Sequence, residues 1–162
     1  MQPRKWEVVT MAIKDSGNRS TFDTGAVRDI QVGKGRPTLM PLQVVATLLD
    51  TRLGGDPVIH RIAQFTEEAN THHLYHALGE FAKIAYAYQF ETMLLEAAIH
   101  YEEGAHKYGE NNWQKGLPVN CYLDSAIRHY LKYRRGDEDE PHDRAFVWNI
   151  MCCIWEVDYH HG

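Results

Sequence analysis

The stretch that most constrains the fold lies near the C-terminal end. After Pro141 the chain carries Phe146, Val147, Trp148, Ile150, Met151, Cys152, Cys153, Ile154, Trp155 and Val157, interrupted only by Asn149 and Glu156. A helix made from this run is apolar nearly all round. An amphipathic helix can lie on a surface, but a helix without a polar face has to be surrounded. The spacing therefore predicts a central helix with other helices packed about it. No apolar run in the 162 residues approaches the roughly 18 needed to span a membrane.

The surrounding helices are legible from apolar spacing and punctuation. Pro41 suits a first helical turn, Leu42, Val45, Leu48 and Leu49 follow at helical intervals, and Gly54-Gly55 ends the element. Asp56-Pro57 is a cap-like start for a second short helix with Val58, Ile62 and Phe65 on one side. After Asn70-Thr71 the pattern Leu74, Leu78, Phe81, Ala85, Tyr88 continues through Leu94, Leu95, Ala98 and Ile99, with no proline. That predicts one long helix to about residue 107. Residues 109–118 form a turn-rich connector. A helix over 118–135 buries Leu123, Ala126, Ile127, Tyr130 and Leu131, and Gly136 stops it.

The N-terminal part differs. Residues 6–13, Trp-Glu-Val-Val-Thr-Met-Ala-Ile, predict a short strand. Residues 14–41 hold Gly17, Gly25, Gly33, Gly35, Pro37 and Pro41 with Lys14, Arg19, Arg28, Lys34 and Arg36 interleaved. A connection this long is uncommon in a compact domain unless it is functional or disordered. The expectation is a mainly α fold: a helical bundle with a short N-terminal β element and a Gly-rich connecting segment. One domain is expected over 1–162, with 1–40 as strand plus Gly/Arg-rich segment and 41–162 as helical core.

Charge and cysteines narrow the function. A formal net charge of −5 argues against binding long nucleic acid, while leaving room for a local basic site. Cys121, Cys152 and Cys153 are an odd count with no Cys-x-x-Cys spacing, which fits core thiols in a reducing cytoplasm better than disulfides or zinc. No long apolar segment follows Met-Gln-Pro-Arg-Lys at the start of the chain, so no secretory signal is expected.

Several polar groups fall on core-building helices, where burial is costly. His142, Asn149 and Glu156 recur every seven residues, close to one stripe of the last helix. They either face a polar pocket between helices or act as a cap, a backbone partner and a solvent-reaching end. On the preceding helix Arg128, Lys132 and Arg135 share a face, and Asp124 stands four residues before Arg128, where it can pair with it. Lys132 and Arg135 suit a solvated face. Arg128 and His129 lie mid-helix, where a guanidinium can grip phosphate with its planar fork. On the long helix Glu96, His100, Glu103 and Lys107 share a face with a weak metal-site character. The turn Asp137-Glu138-Asp139-Glu140 with His142-Asp143 offers hard donors for Mg²⁺ or Mn²⁺. Arg28, Lys34 and Arg36, with glycine-rich backbone, can cradle an anion, although no Walker-type or dinucleotide glycine motif is present. Trp113, beside Asn111 and Asn112, either stacks on a base or plugs the core beneath its turn.

Two sets of residues resemble a known family. The first is Lys14-Asp15-Ser16-Gly17-Asn18-Arg19, then Phe22-Asp23-Thr24-Gly25-Ala26-Val27-Arg28-Asp29 and Gly33-Lys34-Gly35-Arg36. The second is Gly104-Ala105-His106-Lys107-Tyr108-Gly109-Glu110-Asn111-Asn112-Trp113, Tyr122-Leu123-Asp124-Ser125-Ala126-Ile127-Arg128-His129, His142 and Trp148-Asn149. Together they resemble the phage-encoded dATP/dGTP diphosphohydrolase N-terminal-domain family. The resemblance implies hydrolysis of purine deoxynucleotides with a divalent ion, Mg²⁺ or Mn²⁺, in the cytoplasm of an infected bacterial host. The related all-α pyrophosphohydrolases use paired Glu-x-x-Glu and Glu-x-x-Asp helices. Here Ile99 stands three residues after Glu96, and the Glu140–Asp143 pair spans Pro141.

The expected assignments are His129 and Asp143 for acid–base chemistry and Glu103 and His142 for the metal. Arg28, Lys34, Arg36, Lys107, Asn112, Trp113 and Arg128 are expected to hold the nucleotide. The expected partner is a purine nucleotide, with homo-oligomeric assembly and no membrane. Non-catalytic sequestration of a host cyclic or signalling nucleotide is the alternative, and a helical interaction module is the third.

Overall fold

The computed structural model describes residues 14–53 and 55–160. Six helices dominate: α1 (Leu42–Leu53), α2 (Pro57–Glu68), α3 (His72–Tyr86), α4 (Phe90–Tyr108), α5 (Val119–Arg135) and α6 (His142–Asp158). Two short strands, β1 (Arg19–Thr21) and β2 (Val27–Asp29), precede them as an antiparallel pair with Arg19 opposite Asp29 and Thr21 opposite Val27. The architecture is mainly α, as the apolar spacing predicts. No described helix is long and apolar enough to cross a membrane.

The central position expected for α6 is observed. It packs against α5, α4 and α3, and its buried residues fall on nearly every side of the helix. Phe146 meets Phe81 of α3 at 4.5 Å between ring centroids and Tyr130 of α5 at 5.5 Å. Both aromatic edges add to the area the helix removes from water. Cys152 and Cys153 are buried thiols. Asp56 caps α2 by accepting the Ile59 N–H at 3.2 Å, and the Tyr130 hydroxyl donates to its other oxygen at 2.6 Å, tying α2 to α5. Gly136 ends α5 in the left-handed region at φ 92°, its N–H satisfying the Lys132 and Tyr133 carbonyls.

Two expectations are corrected. The single long helix is broken at Ala87 and Tyr88, both left-handed at φ 50° and 66°, and the chain turns back as α4. An unbroken helix from 72 to 108 would be about 55 Å long, well beyond the ~30 Å of a small domain. Turning lets α4 reach α6, and the Tyr88 N–H closes the end of α3 on the Ala82 carbonyl at 3.0 Å. Left-handed non-glycine residues cost about 1–2 kcal/mol each, so packing decides here. The strand expected at 6–13 lies outside the described residues. The strands that are seen sit inside the glycine-rich segment.

Candidate functional site

The β1–β2 hairpin is held down by side chains from far along the chain. The Asn112 amide behaves like a neighbouring strand: its Oδ1 accepts the Val27 N–H at 2.9 Å and its Nδ2 donates to the Val27 carbonyl at 2.8 Å. The Asp29 N–H donates to the Tyr108 hydroxyl at 3.0 Å. Thus the C-terminal end of α4 and the turn after it position β2 over α5 and α6. The space between is a cavity of about 490 Å³.

Its lining is cationic although the chain is acidic. Lys14, Arg28, Lys34, Lys107, Arg128 and Lys132 face only three carboxylates, Asp15, Asp29 and Glu140. Asp15 is engaged by Arg19 at 2.6 and 2.9 Å, and Asp29 by Lys34 at 2.8 Å. Burial works against the Asp29 charge, but Lys34 and Ser16 outweigh it and hold the carboxyl below its ordinary range.

Arg28 and Arg128 form the unusual part. Both donate an Nη2 hydrogen to the Ser125 hydroxyl, at 3.2 and 3.1 Å. Arg28 also donates to Asn149 Oδ1 at 3.1 Å, and Arg128 to Gln31 Oε1 at 2.7 Å and the Gly35 carbonyl at 2.5 Å. Arg28 lies over the Tyr122 and Trp148 rings at 5.5 and 5.4 Å. All these acceptors are neutral. The Asp124–Arg128 pair that helical spacing allows does not form, because Asp124 turns to Arg36 Nε at 3.1 Å and to Thr38. Burial, then the charge of Arg28, lowers the Arg128 pKa. Buried Arg28 Nη1 has no hydrogen-bond partner among the described residues.

The histidines occupy another part of the wall. His129 Nδ1 and His142 Nδ1 are 2.9 Å apart, and His142 Nε2 meets Asp139 Oδ1 at 2.7 Å. Burial, followed by His142 and nearby cations, keeps His129 neutral by pushing its pKa well below the ordinary value. Two donor groups share the His142 imidazole: His129, Glu140 and His142, and separately Asp137, Asp139 and His142. His100 also lines the cavity. Burial, then Arg144 and Arg28, depress its pKa to about 3, and its Nδ1 has no partner among the described residues.

Of the residues singled out by sequence, Arg28, Lys34, Lys107, Asn112, Arg128 and His129 line the cavity. The others do not. Arg36 pairs with Asp124. Trp113 meets Tyr101 and Trp155 edge-on at 5.8 and 5.0 Å, the plug rather than an open stacking face. Asp143 accepts the Tyr86 hydroxyl at 3.0 Å, and Glu103 accepts from Arg144 at 3.2 Å with both oxygens. His142 is buried just behind His129. The seven-residue stripe divides, since Asn149 serves Arg28 while Glu156 bonds His160 at 2.9 Å. Lys132, expected on a solvated face, lines the cavity. Glu140, expected among the hard donors of the acidic turn, also lines it, whereas Lys14, Gln31 and Ser125 carry no sequence expectation as ligand contacts. Lys14 and Gln31 lie outside the helices and strands, where no periodicity marks them.

The family described as dATP/dGTP diphosphohydrolase, N-terminal, matches residues 79–161. That span takes in α4, α5 and α6, and so Arg128, His129, Glu140 and His142, while Arg28 and Lys34 of the hairpin segment lie before it. No curated protein and no solved structure matches the chain. With more than half of its length matched, the chain belongs to the dATP/dGTP diphosphohydrolase N-terminal family.

Proposed function

We propose that the cavity binds the phosphates of a purine deoxynucleoside triphosphate, and that the chain hydrolyses a phosphoanhydride bond there in the cytoplasm of an infected bacterial cell. The observation that carries this is the convergence of Arg28 and Arg128 on Ser125 with no carboxylate among the described residues bonded to either. A fold that desolvates charge without a partner loses stability. Two such guanidiniums in one cavity, beside four lysines, make a site that an anion completes.

Each group has a distinct task. Arg28 is fixed by Asn149 and two rings, so its free Nη1 is oriented before a ligand arrives. Gln31 and Ser125 hold Arg128 facing the same space. His129, kept neutral, can accept a proton or bind a metal, and it stands next to Arg128 on α5. The donor set His129, Glu140 and His142 fits a divalent ion, which when bound would polarise a phosphoryl group and lower the pKa of water.

The test is incubation with dATP, dGTP and other purine nucleotides in Mg²⁺ or Mn²⁺, followed by denaturation and chromatography of the nucleotide. New products support the hydrolase. Nucleotide depleted from solution and recovered intact after denaturation identifies sequestration instead. No depletion and no product with any nucleotide would remove both.

A further inference from the structure

The acidic turn between α5 and α6 and the histidine pair behind it make a more specific site than a generic divalent centre. We propose that His129, Glu140 and His142 bind a first-row transition ion in preference to Mg²⁺, and that Asp139 is the positioning residue that aims His142 at it. This rests on the reading of the cavity as a metal-assisted phosphohydrolase site, and adds the class of ion and the residue that orients its ligand.

The His142 ring has two different neighbours. Its Nε2 lies 2.7 Å from Asp139 Oδ1, so the N–H belongs on that nitrogen and is donated to the carboxylate. The lone pair is then on Nδ1, which faces His129 Nδ1 at 2.9 Å. A carboxylate behind a histidine is the arrangement that fixes a metal-binding tautomer and raises its basicity. Two nitrogens bound to one ion at about 2.1 Å and at right angles stand about 3.0 Å apart. The observed pair already has nearly that separation. Without an ion, His129 supplies the hydrogen between the two nitrogens, and moving that hydrogen to its other nitrogen turns both lone pairs inward.

The second donor group, Asp137, Asp139 and His142, is the weaker candidate because its carboxylates are taken. Arg135 holds Asp137 through Nε at 2.7 Å and also through Nη2, and Lys14 holds Asp139 at 2.5 Å. The Glu140 carboxylate is held by no ion pair among the described residues, and it lines the same cavity wall as His129. The neighbouring carboxylates of 137–140 offset the lysines that would otherwise repel a cation. The donor chemistry selects the ion. Imidazole suits first-row transition ions, whereas Mg²⁺ takes oxygen ligands and keeps its waters.

Manganese is a suitable probe because free Mn²⁺ gives a paramagnetic resonance signal that binding suppresses. The full chain titrated with Mn²⁺ should bind one ion, and a tenfold excess of Mg²⁺ should displace less than half of it. An equimolar amount of Zn²⁺ should displace most of it. Asp139→Ala should weaken Mn²⁺ by about 10- to 100-fold, and His129→Gln and Glu140→Gln should abolish stoichiometric binding. Thermal melts identify any variant that fails to fold, and Glu140→Gln, in the turn before α6, tests the set if the buried histidine variant does. No Mn²⁺ binding, displacement by equimolar Mg²⁺, or unchanged binding in folded Glu140→Gln would overturn the proposal. Nucleotide binding is followed separately by equilibrium dialysis in chelator. A protein that binds nucleotide there and never binds Mn²⁺ refutes the metal site while sparing the phosphate site.

Discussion

Replacing Arg28 with methionine should separate binding from stability. Methionine keeps an unbranched apolar stem and a sulfur that packs well on rings, here Tyr122 and Trp148. The change removes two ring contacts of about 0.5–1 kcal/mol each and hydrogen bonds to Ser125 and Asn149 of about 1 kcal/mol each. It also relieves repulsion. Two guanidinium nitrogens bonded to one oxygen at 3.2 and 3.1 Å are at most about 6 Å apart, and unit charges at that distance repel by about 2–3 kcal/mol at an effective dielectric of 20. The terms largely offset one another, so unfolding free energy should change by no more than about 2 kcal/mol. A phosphate loses a charge-assisted bond to Nη1, about 2–3 kcal/mol, which is about 30- to 150-fold in affinity. Chemical denaturation and equilibrium dialysis with dGTP in chelator measure the two quantities. A variant destabilised by more than about 3 kcal/mol that still binds dGTP like the parent chain would make Arg28 a structural residue and refute the reasoning.

Other outcomes follow from single contacts. Asn112→Ala should cost about 2–3 kcal/mol of stability, because it leaves both polar groups of the Val27 backbone unpaired, and a lowered Tm reads it. Trp113→Leu should lower Tm but leave dGTP affinity within twofold, since the ring packs on Tyr101 and Trp155 outside the cavity; a tenfold loss in dialysis would restore it as a base contact. Stability should rise with pH between about 3 and 6.5. Burial first, then Arg144 and Arg28, hold His100 near 3, so the unfolded chain binds the extra proton throughout that window. The stabilisation is complete above 6.5 and is lost as pH falls toward 3. Denaturation midpoints for the parent and His100→Leu check this, and equal slopes for the two would contradict it.

The fold was more legible in the sequence than the site, for physical reasons. The run from Phe146 to Val157 has no polar face, so burial leaves α6 nowhere but the centre. Asp56 and Gly136 mark helix ends by local chemistry, a side-chain acceptor and a left-handed glycine. Ala87 and Tyr88 carry no such mark. Their turn is imposed by packing of α4 on α6, which spacing within one segment does not encode. The same holds for β1 and β2. Strands of three residues are too short for alternation, and the groups that hold β2, Asn112 and Tyr108, lie about 80 residues away in the chain.

Arg28, Lys34, Lys107 and Arg128 were identifiable as phosphate candidates because cations amid glycines or mid-helix have few structural uses. Asp143 and Glu103 share the same acidic character but are taken up by Tyr86 and Arg144. Composition does not distinguish a carboxylate with a partner from one without. Nor does spacing: Asp124 stands four residues before Arg128 and still bonds Arg36 across the fold. What the three-dimensional structure adds is the identity of the cations left without an acid.

A crystal structure with a non-hydrolysable dGTP analogue tests the central claim most directly. A phosphate oxygen should lie about 3 Å from Arg28 Nη1, the donor without a partner among the described residues, with a second within reach of Arg128. Phosphates bound outside the Arg28–Arg128 cavity, with both guanidiniums still bonded only to neutral protein groups, would contradict it.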